Sequence, residues 1–151
     1  FCILSYNLPM TIKFHTDKYY TFDNFSPHAV EYEGKIFPTS EHAYQAAKFT
    51  SDEIREAIRG ARSPLQAKEL ANVKYKNDKD PDWDSKKVDV MERVLRAKLT
   101  QHFEVAEALE RSRSEELAEN SPVDYFWGIG ADGTGQNMLG KLWMKLRDEH
   151  N

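Results

Sequence analysis

The sequence predicts an α+β fold that is mostly helical, in a single domain with a small antiparallel sheet. Two observations lead to this class. Apolar residues recur at helical spacing through most of the chain, and short alternating segments lie near its start. A length of 151 residues with 40% hydrophobic residues also fits one compact domain. We expect this domain to span residues 10–151. We interpret residues 1–9 as an upstream extension or an expression remnant, with the native start at Met10.

Short strands are predicted in two places near the start. Residues 12–15 could form one strand, and residues 29–38 alternate in polarity around Glu33-Gly34, which is typical of a hairpin. Residues 115–121 fit either a strand or a helix. The polar residues 72–82 and the glycine- and aromatic-rich residues 122–137 are predicted to be loops.

Helix starts are indicated by capping patterns. Thr39 or Ser40 begins a helix that reaches about Phe49, and Thr50 with Glu53 forms a capping box for the next. A third helix is predicted after Ser63-Pro64, with Leu65, Leu70 and Ala71 on its buried face. The longest helix is predicted from Asp84 or Ser85 to Gln101, and its buried face carries Val88, Met91, Leu95 and Leu99. Two more helices are predicted, over residues 103–111 and around Leu139, Leu142 and Leu146.

Composition excludes some classes of function. The net charge is −4, which argues against a broad electrostatic grip on nucleic acid but allows a small anion held by a few cations. Cys2 is the single cysteine, so no internal disulfide can form, as expected in a reducing compartment such as the cytoplasm. No apolar run approaches the ~20 residues of a membrane span, so no membrane partner is expected.

The segment after Thr39 carries the first candidate carboxylate. Glu41, Gln45 and Lys48 are spaced i, i+4 and i+7, so they share one helix face. Glu41 falls in the first turn, where the helix dipole should keep it ionised, and Lys48 could meet a phosphate. The alternative is a dipole-satisfying Glu with a solvated Gln and Lys. His42 has no metal-binding spacing to the other histidines, so we expect it to be hydrogen-bonded, with no metal.

Three other segments could contact a ligand. Residues 23–28 form a turn-rich loop that either binds a polar ligand or is a plain turn. Trp83, with Lys87 one turn later, either stacks on a flat ring or closes the core edge. Residues 121–140 contain many glycines and run into a helix N-terminus, with Asp124 as a second carboxylate or a local cap.

Taken together and in this order, these segments resemble the NADAR family, which includes the YbiA-like N-glycosidases. The resemblance rests on residues 25–28 (FSPH), residues 38–49 (PTSEHAYQAAKF), Asp82-Trp83 before a helix with Lys and Met, and the residues 124–140 pattern D-x-x-WGIG-x-x-G-x-G-x-N-x-LG. It covers residues 14–147 and implies a YbiA-like fold.

The resemblance also implies an activity. Family members hydrolyse N-glycosidic bonds, either in phosphoribosylamino-pyrimidine intermediates of riboflavin biosynthesis or in ADP-ribosylated guanine, for which single-stranded nucleic acid could be the carrier. The implied catalytic residues are Glu41, Asp124 and Trp83, without cofactor or metal. The implied substrate-binding residues are Asn24, Phe25, Ser26, Tyr44, Gln45, Lys48, Lys87, Trp127, Gly128 and Asn137.

This assignment leaves two questions at the sequence level. Family members often carry an Arg before the Asp-Trp pair, whereas Asp80-Pro81 stands here, so Arg59, Arg62 or Lys87 would have to replace it. A non-catalytic module that binds ADP-ribose or NAD would use the same pocket. The paired acidic residues favour an enzyme, because a binder of anions gains nothing from added negative charge. A helical interaction protein is a third interpretation, which the glycine- and aromatic-rich loop disfavours.

Overall fold

A computed structural model describes residues 10–15 and 20–150 of the chain. The predicted extension, residues 1–9, lies outside the described residues. Within them the architecture is α+β, as predicted, with six α-helices and four short strands. No helix of the described part is long and apolar enough to cross a membrane.

The strands form two small sheets rather than one. Strands β2 (Val30–Tyr32) and β3 (Lys35–Phe37) pair as the predicted antiparallel hairpin. Its turn residues Glu33 and Gly34 both have positive φ, 50° and 78°, as a tight hairpin turn requires.

The second sheet corrects the expectation of a purely antiparallel arrangement. Strands β1 (Thr11–Phe14) and β4 (Glu116–Glu119) pair in parallel, with Phe14 opposite Glu119. Parallel strands need a long crossover, and here most of the domain lies between the two. Of the two alternatives predicted for residues 115–121, the structure therefore has the strand and not the helix. Because the strands run the same way, the residues that follow each of them meet at one edge of the sheet.

The helices follow the predicted order. They are α1 (Ser40–Ala46), α2 (Asp52–Arg59), α3 (Pro64–Glu69), α4 (Trp83–Gln101), α5 (Phe103–Arg111) and α6 (Met138–His150). The predicted cap of α2 was wrong by one residue. Ser51, not Thr50, is the N-cap, because its hydroxyl accepts from the backbone N–H of Ile54.

The two predicted loops differ in regularity. Residues 122–137 contain no helix or strand, as predicted. Residues 72–82 are more ordered than predicted, because a π turn over Leu70–Lys74 continues directly from α3 and a 3-10 turn follows over Lys76–Asp78. This continuation brings Asn72 close to α1.

The core is built around α4, which packs against α1, β2, α5 and α6. Met91, Leu95 and Leu99 are buried on α4 as predicted, whereas Val88 is only partly buried. The prediction that Leu65 lies in the core was wrong, since it is 54% exposed. Its position at the start of α3 places it beside the cavity described next.

Candidate functional site

A cavity of about 480 Å³ lies where α1, α3, the loop of residues 23–25, the end of β4 and the glycine-rich loop meet. Pockets of this size hold small-molecule ligands. The cavity brings together several of the predicted site residues: Asn24, Phe25, Glu41, Tyr44, Gln45, Lys48, Asp124 and Trp127.

The predicted face of α1 forms one wall of this cavity. Glu41, Gln45 and Lys48 all line it and are 6%, 2% and 8% exposed. The interpretation of Gln45 and Lys48 as solvated surface residues is therefore excluded. Gln45 Nε2 donates to Glu41 Oε1 at 2.7 Å, which fixes the carboxylate within the wall.

The electrostatic state of Glu41 differs from the prediction. Burial raises the pKa of its carboxyl, while the Gln45 hydrogen bond, Lys68 and Lys48 act in the opposite direction. The helix dipole does not dominate, because removing a carboxylate from water favours its neutral form. A carboxyl with a raised pKa is a stronger base than an exposed one, which suits it to accept a proton from water.

A cationic wall stands next to Glu41. Lys48 Nζ donates to Asn72 Oδ1 at 3.0 Å and lies 5.2 Å from the centroid of the Tyr44 ring. Burial lowers the pKa of Lys48 to about 8. Lys68 lines the same wall from the last turn of α3. The cavity thus has a positive side made by Lys48 and Lys68.

Aromatic side chains define another part of the cavity. Tyr44 lies between Trp83 and Trp127, with ring centroids at 5.3 Å and 5.6 Å. Tyr44 and Trp127 line the cavity, but Trp83 does not. Trp83 is 4% exposed and packs against Tyr44, which fits the alternative that it closes the edge of the core and supports the aromatic wall.

The side chain of Asp124 both stabilises the glycine-rich loop and lines the cavity. Its Oδ1 accepts from the backbone N–H groups of Phe126 and Trp127 at 3.0 Å and 2.7 Å, so it caps the loop locally. It also lines the cavity and is partly exposed. The contacts confirm Asp124 as a local cap, and its place in the lining leaves the second-carboxylate role as a prediction.

A buried lysine stabilises the loop of residues 23–26 through hydrogen bonds. Lys98, which is 0% exposed, donates to the Asp23 carbonyl at 3.0 Å and to Ser26 Oγ at 2.6 Å. Ser26, predicted to bind substrate, is not among the residues that line the cavity, and its hydroxyl accepts from Lys98 instead. Asn24 and Phe25 do line it. Asn24 Nδ2 contacts Met91 Sδ at 3.2 Å, while its Oδ1 is buried with no hydrogen-bond partner among residues 10–15 and 20–150.

Gly128 and Asn137, also predicted to bind substrate, are not among the residues that line the cavity. Asn137 has a φ of 53°. Its side chain accepts from the Glu119 backbone N–H and donates to the Leu117 carbonyl, each at 2.9 Å, so it ties the glycine-rich loop to β4. A Cβ at Gly128 would collide with the Glu119 carboxylate. In the structure, these two residues hold Glu119 in place through a backbone hydrogen bond and through the space left beside its carboxylate.

The three cations suggested as replacements for the family arginine do not line the cavity. Arg59 pairs with Glu56 at 2.7 Å, and Arg62 is exposed. Lys87 Nζ lies 4.1 Å from the Phe126 ring centroid and 3.6 Å from Asp84. Lys68 supplies the additional positive charge instead. In the sequence, Lys68 is marked only by its spacing of four residues from Asn72.

A second group of lining residues was not predicted. Glu119 ends β4 and is 8% exposed, and His15 follows β1. His15 Nδ1 lies 3.1 Å from Glu119 Oε1 and 3.4 Å from Asp23 Oδ2. These atoms are close enough to share a metal ion. The 3.1 Å distance is that of a hydrogen bond between His15 and Glu119, and hydrogen bonding accounts for this contact without an ion.

His42 is a packed, hydrogen-bonded residue, as predicted. It is 1% exposed. Its Nδ1 and Nε2 lie 2.8 Å from Thr39 Oγ1 and 3.0 Å from the Ala61 carbonyl. These contacts hold the N-terminus of α1, and thereby Glu41, in place.

The sequence and the fold match those of known proteins. Residues 12–150 match the NADAR domain. The chain is 39% identical to the N-glycosidase YbiA of Escherichia coli (strain K12) over 134 residues, which cover 89% of this chain and 83% of that protein. The NMR structure of E. coli YbiA superposes with a TM-score of 0.84 over 93% of this chain and 84% of that one, at 38% identity.

Two further relatives extend the comparison. The N-glycosidase Npun_R5314 of Nostoc punctiforme is 37% identical, with coverage of 93% of this chain and 92% of that protein. The chloroplastic riboflavin biosynthesis protein PYRR of Zea mays is 37% identical over 88% of this chain but only 24% of that protein. The chain therefore belongs to the NADAR family.

Proposed function

We propose that this protein is an N-glycosidase that hydrolyses the ribosyl C–N bond of a phosphoribosylamino-pyrimidine of the riboflavin pathway. The observation that carries this proposal is that Glu41, a buried carboxyl group, faces the same cavity as Lys48 and Lys68. One wall thus combines a base with a binding site for an anion. Relatives named as N-glycosidases and as riboflavin biosynthesis proteins support the substrate class.

Breaking a ribosyl C–N bond builds positive charge on C1′ and the ring oxygen. A carboxylate fixed beside that centre stabilises the charge and can deprotonate the attacking water. Glu41 has this role in our proposal, since Gln45 fixes its orientation and burial raises its pKa. Asp124, at another part of the cavity, orients the ribose hydroxyls.

The positive side of the cavity is assigned to the substrate phosphate. Lys48 is largely desolvated, and a bound dianion would restore the charge that burial disfavours. Lys68 adds a second cation, and the Asn72 amide, which already binds Lys48, can donate as well. The flat base then lies toward Phe25 and Trp127, the partly exposed aromatic residues of the lining. A cavity of about 480 Å³ suits one nucleotide-sized ligand rather than a polymer.

The test is a Glu41→Gln variant, which keeps the shape and hydrogen bond to Gln45 but removes the negative charge. We expect kcat to fall by at least ~10²-fold. Glu53→Gln, an exposed site on α2, is the matched control and should retain full activity. Mass spectrometry of the released base and ribosyl phosphate provides the readout.

Several outcomes would contradict the proposal. Saturable binding with intact substrate would indicate a non-catalytic module. Release of ADP-ribose from modified guanosine, with no cleavage of the amino-pyrimidine, would indicate the other substrate class. Full activity of a correctly folded Glu41→Gln variant would remove Glu41 from the mechanism.

A further inference from the structure

The carboxyl group of Glu119 is built into the cavity by several independent features. It stands at the end of β4, where Asn137 accepts from its backbone N–H at 2.9 Å. The absence of a side chain at Gly128 leaves room for its carboxylate, since a Cβ there would collide with Oε2. The side chain is largely buried yet lines the cavity that holds Glu41 and Asp124. The mechanism proposed above gives this group no role.

The surroundings of Glu119 favour its protonated form. Three titratable groups face it from three elements: His15 after β1, Asp23 in the loop of residues 23–26, and Asp124 in the glycine-rich loop. Burial is the largest influence and raises the pKa of Glu119 to about 7, with Asp23 and Asp124 adding to the effect and His15 opposing it. A carboxyl group in this range carries a proton for a large part of the time at neutral pH, as a general acid requires.

We propose that Glu119 is the general acid that protonates the leaving nitrogen, and that His15 is a positioning residue that links it to solvent. This inference rests on the N-glycosidase function proposed above. The geometry that supports it is the placement of Glu119 in the lining and its 3.1 Å contact with His15, whose side chain is 35% exposed.

The proposed step balances as follows. The C1′–N bond breaks, and its electron pair stays on nitrogen, which takes the proton of the Glu119 carboxyl group. The oxygen of water forms the new bond to C1′, and one of its protons passes to Glu41. Glu41 then releases this proton, and Glu119 regains one through His15 and solvent. No oxidant, reductant or further reactant is consumed.

The main experiment compares two leaving groups in the Glu119→Gln variant. The amino-pyrimidine leaves poorly without protonation, whereas nitrophenolate in 4-nitrophenyl riboside 5-phosphate leaves as an anion. We expect kcat to fall by at least ~10²-fold on the amino-pyrimidine but by less than about threefold on the nitrophenyl substrate. Glu116→Gln, an exposed carboxylate on the same strand, is the control and should match the wild type on both.

The pH profile of a second variant, His15→Gln, separates a role of Glu119 in proton transfer from a purely structural role, which would leave the profile unchanged. His15→Gln removes the influence that opposes the high pKa of Glu119, so the alkaline limb of the kcat–pH profile should move to higher pH. In Glu119→Gln this limb should disappear. The assignment of Glu119 would be overturned if Glu119→Gln lowered kcat equally on both substrates. It would also be overturned if the alkaline limb of the kcat–pH profile stayed in place in His15→Gln. Failure of the wild type to cleave any ribosyl C–N bond would instead refute the underlying function.

Discussion

The placement of Glu119 has a consequence for stability that needs no substrate to measure. Its carboxyl has a pKa of about 7 in the folded protein, against an ordinary value of 4.5. Each pKa unit corresponds to about 1.4 kcal/mol, so the ionised side chain destabilises the fold by about 3 kcal/mol relative to the protonated one.

The direction of the pH dependence follows from proton binding. Because the folded-state pKa is raised, the folded protein holds this proton over a range where the unfolded chain has lost it. The resulting stabilisation is complete below about pH 4.5, and it is lost as the pH rises through about 7. A Gln at position 119 does not titrate. As the pH rises from 4 to 8, the free energy of unfolding of Glu119→Gln should therefore increase by about 3 kcal/mol relative to that of the wild type.

Urea denaturation of both proteins at several pH values measures this difference directly. At about 2–4 °C per kcal/mol for a domain of this size, the relative shift in Tm should be about 6–12 °C. Glu116→Gln, which removes an exposed carboxylate from the same strand, is the control for the substitution itself. A Glu119→Gln difference that stays flat across the range would refute the burial argument, and with it the electrostatic support for a protonated Glu119.

Two further substitutions test other parts of the site. Lys68→Met should raise KM for the phosphorylated substrate about 5-fold with little change in kcat, as expected for the loss of up to ~1 kcal/mol from an exposed charge. Steady-state kinetics check this, and an equal rise in the exposed control Lys74→Met would refute a specific phosphate contact. Gly140→Ala should lower the stability by about 1–3 kcal/mol or more, because a Cβ there would collide with the Leu117 carbonyl and the Asn137 side chain. Thermal unfolding of this variant at wild-type temperature would contradict that tight packing.

The parts of the site that depend on local periodicity could be predicted from the sequence. Glu41, Gln45 and Lys48 share a helix face because their spacing follows the helical turn, and they do line one wall. The hairpin around Glu33-Gly34 was predictable for the same reason, since its turn chemistry is local.

The parts that depend on distant pairing could not be predicted in this way. Glu119 and His15 meet only because β1 and β4 pair in parallel across 104 residues of chain, and no local pattern marks either residue. The position of Trp83 at a loop–helix junction leaves open whether it stacks on a ligand ring or closes the edge of the core. Its actual partner, Tyr44, is fixed by how α4 packs on α1.

The parallel pairing of β1 with β4 also bears on how this protein reaches its native state. The helices depend on local contacts and can form early, whereas joining the two strands closes a loop of most of the domain and carries a large entropic cost. The meeting of His15 with Glu119 is thus among the most non-local contacts in the chain. A refolding chain can therefore regain its helical circular dichroism before this edge of the cavity is assembled.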